Sequence, residues 1–307
     1  MSAGNVYLRR DAVESFVKSI RYDEAALKRI ARRLEQHFVG RGDHTLRILD
    51  VGIGDGAFTV PMLAYLTESA SIGYQLDCLD ASEHMISALQ TNLQAHGIPQ
   101  PKVQAYKADA NLGLRPSYPA AAYDLAVITF VLQYIERWEE LLADLTECLR
   151  DGGLFIQAEI AGALRYVDGY FDADGPPAFA DFWRHYFDLR NTLSEWCPAI
   201  SVSDLSVVYA HLAAQGHFRG LWQETYVWPL NFAWRDLCSW IAAGPLSSLG
   251  SGLDDHQRLE LASAMEGWLS THNVSADEQV TLEWGFKVTC LQKTRPATDC
   301  GSAGKDS

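Results

Sequence analysis

The 307-residue chain is short of several things, and each shortage argues against a class of function. Basic residues are few: 25 Lys and Arg stand against 39 Asp and Glu, a formal net charge of −14. Phosphate backbones and anionic membranes are bound by clustered cations, so neither nucleic acid nor a membrane is expected as a partner. The six cysteines, Cys78, Cys148, Cys197, Cys238, Cys290 and Cys300, lie far apart, with no Cys-x-x-Cys and no Cys/His group at metal-ligand spacing. No structural zinc or other metal is therefore expected. No apolar run approaches the roughly 20 residues that span a bilayer. The N-terminus MSAGNVYLRRDAVESF has no apolar stretch of the kind an export signal needs, and its Arg9-Arg10 pair runs into Asp11. A reduced, cytoplasmic protein is the expectation. What remains is an ordinary globular composition, 48% apolar and 21% charged, sufficient for one large core.

The charge is uneven. Residues 1–47 hold 10 basic and 6 acidic residues, whereas the rest of the chain holds 15 and 33. Within the basic stretch, Leu27, Ile30, Leu34 and Phe38 recur at helical spacing with Lys and Arg between them, which predicts a helix over 23–39 with one face buried. The basic residues are then either its solvated side or a surface that attracts an anionic ligand.

From residue 47 the pattern alternates. Strand segments are expected at 48–51, 74–80, 102–109, 123–130 and 154–160, with helices over 59–70, 82–96 and 137–149 between them. Such alternation predicts a mostly parallel sheet with helices on both faces. A helix capped by Ser203 or Asp204 and reaching Ala214 leads to a strand near 218–228. A last strand, about 280–292, lacks the preceding turn–helix rhythm and is expected to enter antiparallel, for seven strands in all. Residues 164–245 carry 17 Phe, Trp or Tyr. The part before Ser203 reads as an insertion over the sheet's C-terminal edge, where open α/β sheets bind ligands. The same aromatics would also fill a small extra core.

The strongest motif is Asp50-Val51-Gly52-Ile53-Gly54-Asp55-Gly56, at the end of the first strand. Glycines there let the turn backbone approach a ligand without Cβ atoms in the way. Gly52-x-Gly54-x-x-Ala57 also satisfies the dinucleotide fingerprint, whose acidic partner belongs ~20 residues on. The acid ending the second strand, Asp80, comes 28 residues after Gly52.

Asp50 before the glycines, the G-x-G-x-G spacing, Asp80 ending strand two and Asp109 ending strand three together resemble the class I S-adenosylmethionine-dependent methyltransferases. The resemblance is firm over about residues 47–160. It implies a Rossmann-like α/β fold with S-adenosyl-L-methionine as cofactor. Gly52, Gly54 and Gly56 would lie under its amino-acid and ribose part, with Asp50 leading the loop and Asp80 on the ribose hydroxyls. A carboxylate, which only accepts, suits a pair of hydroxyl donors. Ala81 and Met85 would sit by the adenine ring, Asp109 and Ala110 would meet its edge, and Thr129 would lie between cofactor and acceptor. A finer resemblance in layout, with Val13-Glu14-Ser15-Phe16 leading and Phe286 on the closing strand, is to small-molecule N-methyltransferases of the histamine N-methyltransferase type. Where that type places polar side chains on its amine, this sequence has Phe130 and Leu282, and only Glu24, beside Asp23, persists.

Function is therefore expected to be methyl transfer to N or O of a small, aromatic or amine-bearing metabolite, by in-line displacement. Glu24, His185 and Tyr186 are the substrate-side catalytic candidates, as bases or as ring contacts. The other readings are a catalytically silent S-adenosylmethionine-binding partner protein and an NAD(P)-dependent oxidoreductase. The expected organisation is an N-terminal helical cap (1–46), the cofactor-binding core (47–160), the aromatic insertion (161–202), completion of the sheet (203–294) and a polar tail (295–307). Exposed aromatics in the insertion would permit a homodimer.

Overall fold

The computed structural model describes residues 10, 13, 22–39, 45–70, 72–99, 102–114, 118–162, 164–167, 170–173, 177–193, 206–243 and 253–294. In chain order these form α1 (Glu24–Phe38), β1 (Leu46–Val51), α2 (Thr59–Ala70), β2 (Tyr74–Asp80), α3 (Glu83–Ala95), β3 (Val103–Lys107), β4 (Tyr123–Thr129), α4 (Trp138–Cys148) and β5 (Leu149–Gly162). The chain continues through the strand pair β6 (Leu164–Val167) and β7 (Tyr170–Ala173), α5 (Pro177–Leu193), α6 (Ser206–Ala214), β8 (Phe218–Ala233), α7 (Trp234–Ala243), α8 (Asp255–Thr271) and β9 (Gln279–Lys293).

The main sheet has seven strands in the order β3-β2-β1-β4-β5-β9-β8. β1 to β5 are mutually parallel, and β9 enters antiparallel between β5 and β8. The Rossmann-like architecture, the seven strands and the antiparallel last strand match the sequence expectation. The β6/β7 hairpin, a separate two-stranded sheet, is an addition to it.

Strand alternation sends side chains to two cores. Ile48, Leu76, Leu125, Ile156 and Val288 face one side with α1, α2 and α3; Leu49, Leu79, Ala126 and Phe155 face the other with α4 and α6. α1 buries Leu27, Ile30, Leu34 and Phe38, as their spacing predicts, and Asp23 caps it by accepting from the Ala26 N–H at 2.9 Å. Its cations are engaged along the same surface. Lys28 lies over the Tyr65 ring and Arg33 over Trp222, while Arg29 and Arg33 both pair with Glu224 of β8.

The β8–β9 pairing outruns the sheet. β9 pairs with β5 from Gln292 to Trp284, but with β8 it continues to Ala233↔Gln279. The overhanging part carries Phe232 and Val280 into a third core, shared with Phe182 and Trp183 of α5, Leu237 of α7 and Met265 and Trp268 of α8. Much of the aromatic insertion thus builds a small lobe of its own. The Ser203/Asp204 cap, most of the leading segment and the 295–307 tail lie outside the described residues.

Candidate functional site

Parallel strands put β1, β2, β3 and β4 with their C-terminal ends on one edge, so Gly52, Asp80, Asp109 and Phe130 come together although 78 residues of chain separate the first from the last. The glycine loop that follows β1 has φ of +76° at Gly52, +60° at Gly54 and +75° at Gly56, a region that side-chain-bearing residues rarely adopt. Space decides two of these positions as well. A Cβ on Gly52 would lie 2.5 Å from a Val131 methyl, and one on Gly56 would lie 2.6 Å from Leu89 and Val60. Gly54 differs: the nearest atom to its Cβ would be the Met85 sulfur at 3.9 Å. The middle glycine therefore leaves backbone open toward a ligand.

Asp80 ties this loop to β2. Its Oδ2 accepts from the Gly54 N–H at 3.0 Å and its Oδ1 from the Ser82 N–H at 2.8 Å. Burial raises its pKa, and those two amide donations pull the other way. Each carboxylate oxygen keeps a second lone pair, so hydroxyl donors can still be accepted. Ser82 in turn caps α3 by accepting from the Met85 N–H at 3.2 Å, which fixes Met85, almost fully buried, beside the loop.

Asp50 lies beneath the loop with no exposed surface. Its Oδ2 accepts from the Thr59 hydroxyl at 2.5 Å, and its Oδ1 has no hydrogen-bond partner among the described residues. Burial pushes its pKa up to about 7, with the nearby Asp80 charge adding to the rise and Thr59 opposing it. A buried acceptor without a donor calls for an explanation.

The remaining expected cofactor residues stand along the same edge. Asp109 is exposed and caps a short turn, accepting from the Asn111 N–H at 2.9 Å, followed by buried Ala110. Ala81 follows Asp80, and Thr129 closes β4, nearly buried.

The three substrate-side candidates are placed differently. Glu24 is exposed in the first turn of α1, paired with Lys28 at 2.5 Å and accepting from the Tyr65 hydroxyl; both lower its pKa. Tyr186 is 1% exposed inside the third core, edge-on to Trp183 and Phe187, and burial drives its pKa well above the ordinary phenol value. His185 sits against Trp268 in the same lobe, ring centroids 6.4 Å apart. These positions serve helix pairing and core packing, so none of the three is assigned a part in the chemistry below. The sequence reasoning also passed over several residues of the site. Thr59 holds Asp50, and Tyr22 and Phe58 stand beside Phe130 and Phe286. Thr59 had a signal available, a hydroxyl at the first position of the helix that the glycine loop opens.

Residues 49–155 match the family model described as a methyltransferase domain. The malonyl-[acyl-carrier protein] O-methyltransferase of Halalkalibacterium halodurans is 27% identical over 128 residues, 42% of this chain and 44% of that protein. The highly reducing polyketide synthase easB of Emericella nidulans is 28% identical over 168 residues, 52% of this chain and 6% of that one. The chain thus spans less than half the length of these curated relatives. A proposed type II methyltransferase from Anaeromyxobacter dehalogenans superposes with a TM-score of 0.50 at 16% identity, covering 88% of this chain and 96% of that one, a likeness of fold. With the sheet order and the glycine loop held by Asp80, the match identifies residues 49–155 as a domain of the class I S-adenosylmethionine-dependent methyltransferases, a family whose cofactor is S-adenosylmethionine.

Proposed function

We propose that this protein transfers the methyl group of S-adenosylmethionine to N or O of a small aromatic or amine-bearing molecule. The observation that carries it is the loop itself: Gly54, with nothing nearer than the Met85 sulfur at 3.9 Å where a Cβ would stand, and its N–H held by the one carboxylate, Asp80, that ends β2. Asp80 is assigned the ribose hydroxyls, and Gly52, Gly54 and Gly56 the close backbone approach. The buried, unpaired Oδ1 of Asp50 suits the ammonium end of the cofactor's amino acid, through the loop above it. Ala81 and Met85 are assigned to the adenine face, Asp109 and Ala110 to its edge, and Thr129 to the boundary with the acceptor.

Bound there, the cofactor supplies a methyl group on a good leaving group, so the protein's task is to align the acceptor and keep water out. An attacking nitrogen or oxygen must offer a lone pair, and its proton leaves to solvent or to a neighbouring base. The antiparallel β9 counts against the NAD(P) reading, since the doubly wound dinucleotide fold continues its sheet with parallel strands. The test is label transfer from methyl-labelled cofactor to a small-molecule extract. Transfer lost in both Asp80→Ala and Gly54→Arg is expected. Transfer persisting in both would remove the site assignment, and cofactor binding without turnover would favour a silent binding protein.

A further inference from the structure

At the edge of the sheet opposite the glycine loop, where β5 and β8 begin and β9 ends, lies an open cavity of about 600 Å³. β5 runs from Gly152 at this cavity to Ala158, whose carbonyl accepts from the Phe130 N–H beside the loop. About six residues at ~3.3 Å each put the two places roughly 20 Å apart. Three cations line the cavity, Arg150, Arg219 and Lys293, against one carboxylate, Asp151, in a chain whose net charge is −14.

The rest of this edge is balanced in charge. Arg47 of β1 lies 3.4 Å from Asp77 of β2, which also accepts from the Tyr123 hydroxyl at 2.7 Å. Asp124 of β4, 1% exposed, accepts from the Arg47 N–H at 2.8 Å and pairs with Arg150. Arg150 thus closes a row of alternating charges and reaches the cavity already paired. The balance fails on the next two strands. Among the described residues, Arg219 of β8 meets an amide oxygen and no carboxylate, and Lys293 of β9 has only the half-exposed carboxylate of Asp151, 4.0 Å away.

Both of these cations are fixed in place. Gln292, opposite Arg219 in the β8–β9 register and 8% exposed, accepts from Arg219 Nε at 2.8 Å and from its Nη2, while its own Nε2 donates to the Gly152 carbonyl at 3.2 Å. Those bonds engage two of the five guanidinium N–H groups and leave three. The Lys293 ammonium donates to the Thr146 and Leu149 carbonyls, both at 2.7 Å, where α4 ends. Its third N–H is left over. Cations held this way lose less side-chain freedom on meeting an anion than mobile surface lysines do.

The placement of the donors selects the anion. They stand on separate strands, Arg219 on β8 and Lys293 on β9, with Arg150 of β5 beside them. A tetrahedral phosphate accepts from several directions at once, whereas a planar carboxylate is matched best by a single guanidinium fork. We propose that this cavity binds a phosphate group, as the free ion or as the phosphate monoester of a small molecule, through Arg219 and Lys293. Asp151 opposes the anion and keeps the affinity modest. The site is separate from the glycine loop and stands whether or not the methyl-transfer reading holds.

The experiment is calorimetry on the full chain at pH 7.5 and constant ionic strength, with inorganic phosphate, ribose 5-phosphate and malonate as probes. One equivalent of either phosphate probe should bind, at least about fivefold tighter than malonate. Tighter binding of the ester assigns the site to a phosphorylated molecule, and tighter binding of the ion assigns it to free phosphate. Arg219→Gln should weaken the better phosphate probe by about tenfold, and Asp151→Asn should tighten it by about two- to threefold. Saturating S-adenosylhomocysteine should leave that affinity within about twofold, since the loop lies at the other edge. Arg219 is exposed on the edge strand, so its variant disturbs the fold least, and melting temperatures check this. No saturable phosphate binding, malonate bound as tightly, an affinity unchanged in either variant, or displacement of phosphate by S-adenosylhomocysteine overturns the proposal.

Discussion

Replacing Asp50 by Asn should change how the protein's stability depends on pH. The carboxyl is fully buried, one oxygen accepts from the Thr59 hydroxyl, and the other has no hydrogen-bond partner among the described residues; burial lifts its pKa to about 7. In the unfolded chain the value is about 3.9. The folded state therefore binds this proton more tightly than the unfolded state does. Its stabilising contribution is complete below about pH 4 and is lost as pH rises through about 7. A shift of roughly three units at 1.36 kcal/mol each makes the whole effect about 4 kcal/mol, taken as an upper figure. An asparagine side chain has no such titration, although its NH2 would face the spot where Oδ1 lacks a donor, a cost of about 1–3 kcal/mol. That cost is the same at every pH, so the informative quantity is the difference between variant and wild type, followed by denaturant unfolding at pH 4.5, 6, 7 and 8. The difference should move in favour of the Asp50→Asn variant by several kcal/mol from the lowest pH to the highest. Parallel pH profiles for the two proteins would refute the reasoning. The same chemistry predicts that the wild type binds cofactor more tightly as pH rises toward 7, because the ammonium group is best met by an ionised Asp50, and that Asp50→Asn flattens this dependence in calorimetry.

Further outcomes follow from other contacts. Asp80→Ala removes the acceptor for the Gly54 and Ser82 amides and, on the proposed assignment, for the ribose hydroxyls; cofactor affinity should fall by about 10- to 100-fold, the equivalent of one or two charge-assisted hydrogen bonds, as read by calorimetry. Gly52→Ala meets both an unfavourable φ and the Val131 methyls, and should cost about 2–4 kcal/mol in denaturant unfolding; in a Val131→Ala background the cost should drop toward the ~1–2 kcal/mol of the backbone strain alone. Gly285→Ala should destabilise the β8–β9 strand pair and lower the melting temperature by several degrees, because its Cβ would clash with the Tyr226 carbonyl oxygen. Glu24→Ala and His185→Ala should leave turnover within about twofold, the first removing an exposed helix pair with Lys28 and an acceptor for the Tyr65 hydroxyl; a loss of a hundredfold in either would return it to the catalytic machinery.

The placing of the expected cofactor-side residues on one sheet edge was legible because each signal is local. Each of Asp50, the glycines, Asp80 and Asp109 ends or follows a strand, and the parallel order of the strands does the rest of the work of assembly. β2 and its terminal acid were bounded to the residue, since Tyr74–Asp80 lies between a glycine turn and a helix cap that both leave clear marks. The aromatic cluster beside the loop was not legible, for a physical reason. Tyr22, Phe58, Phe130, Trp228 and Phe286 come from five segments, and no spacing in a single segment reports that their rings converge. Trp183 and Tyr186 are as rich a signal in sequence as Trp228, yet they pack into the third core, with the overhanging part of a strand pair whose length no local pattern announces.

The central claim is that the loop between β1 and α2 holds S-adenosylmethionine with Asp80 as its anchor, and titration calorimetry tests it most directly. The account predicts one equivalent of S-adenosylhomocysteine bound by the wild type, binding weakened at least tenfold by Asp80→Ala, and no heat from NADH or NADPH. Saturable binding of a nicotinamide cofactor, or S-adenosylhomocysteine bound equally well by Asp80→Ala, would contradict it.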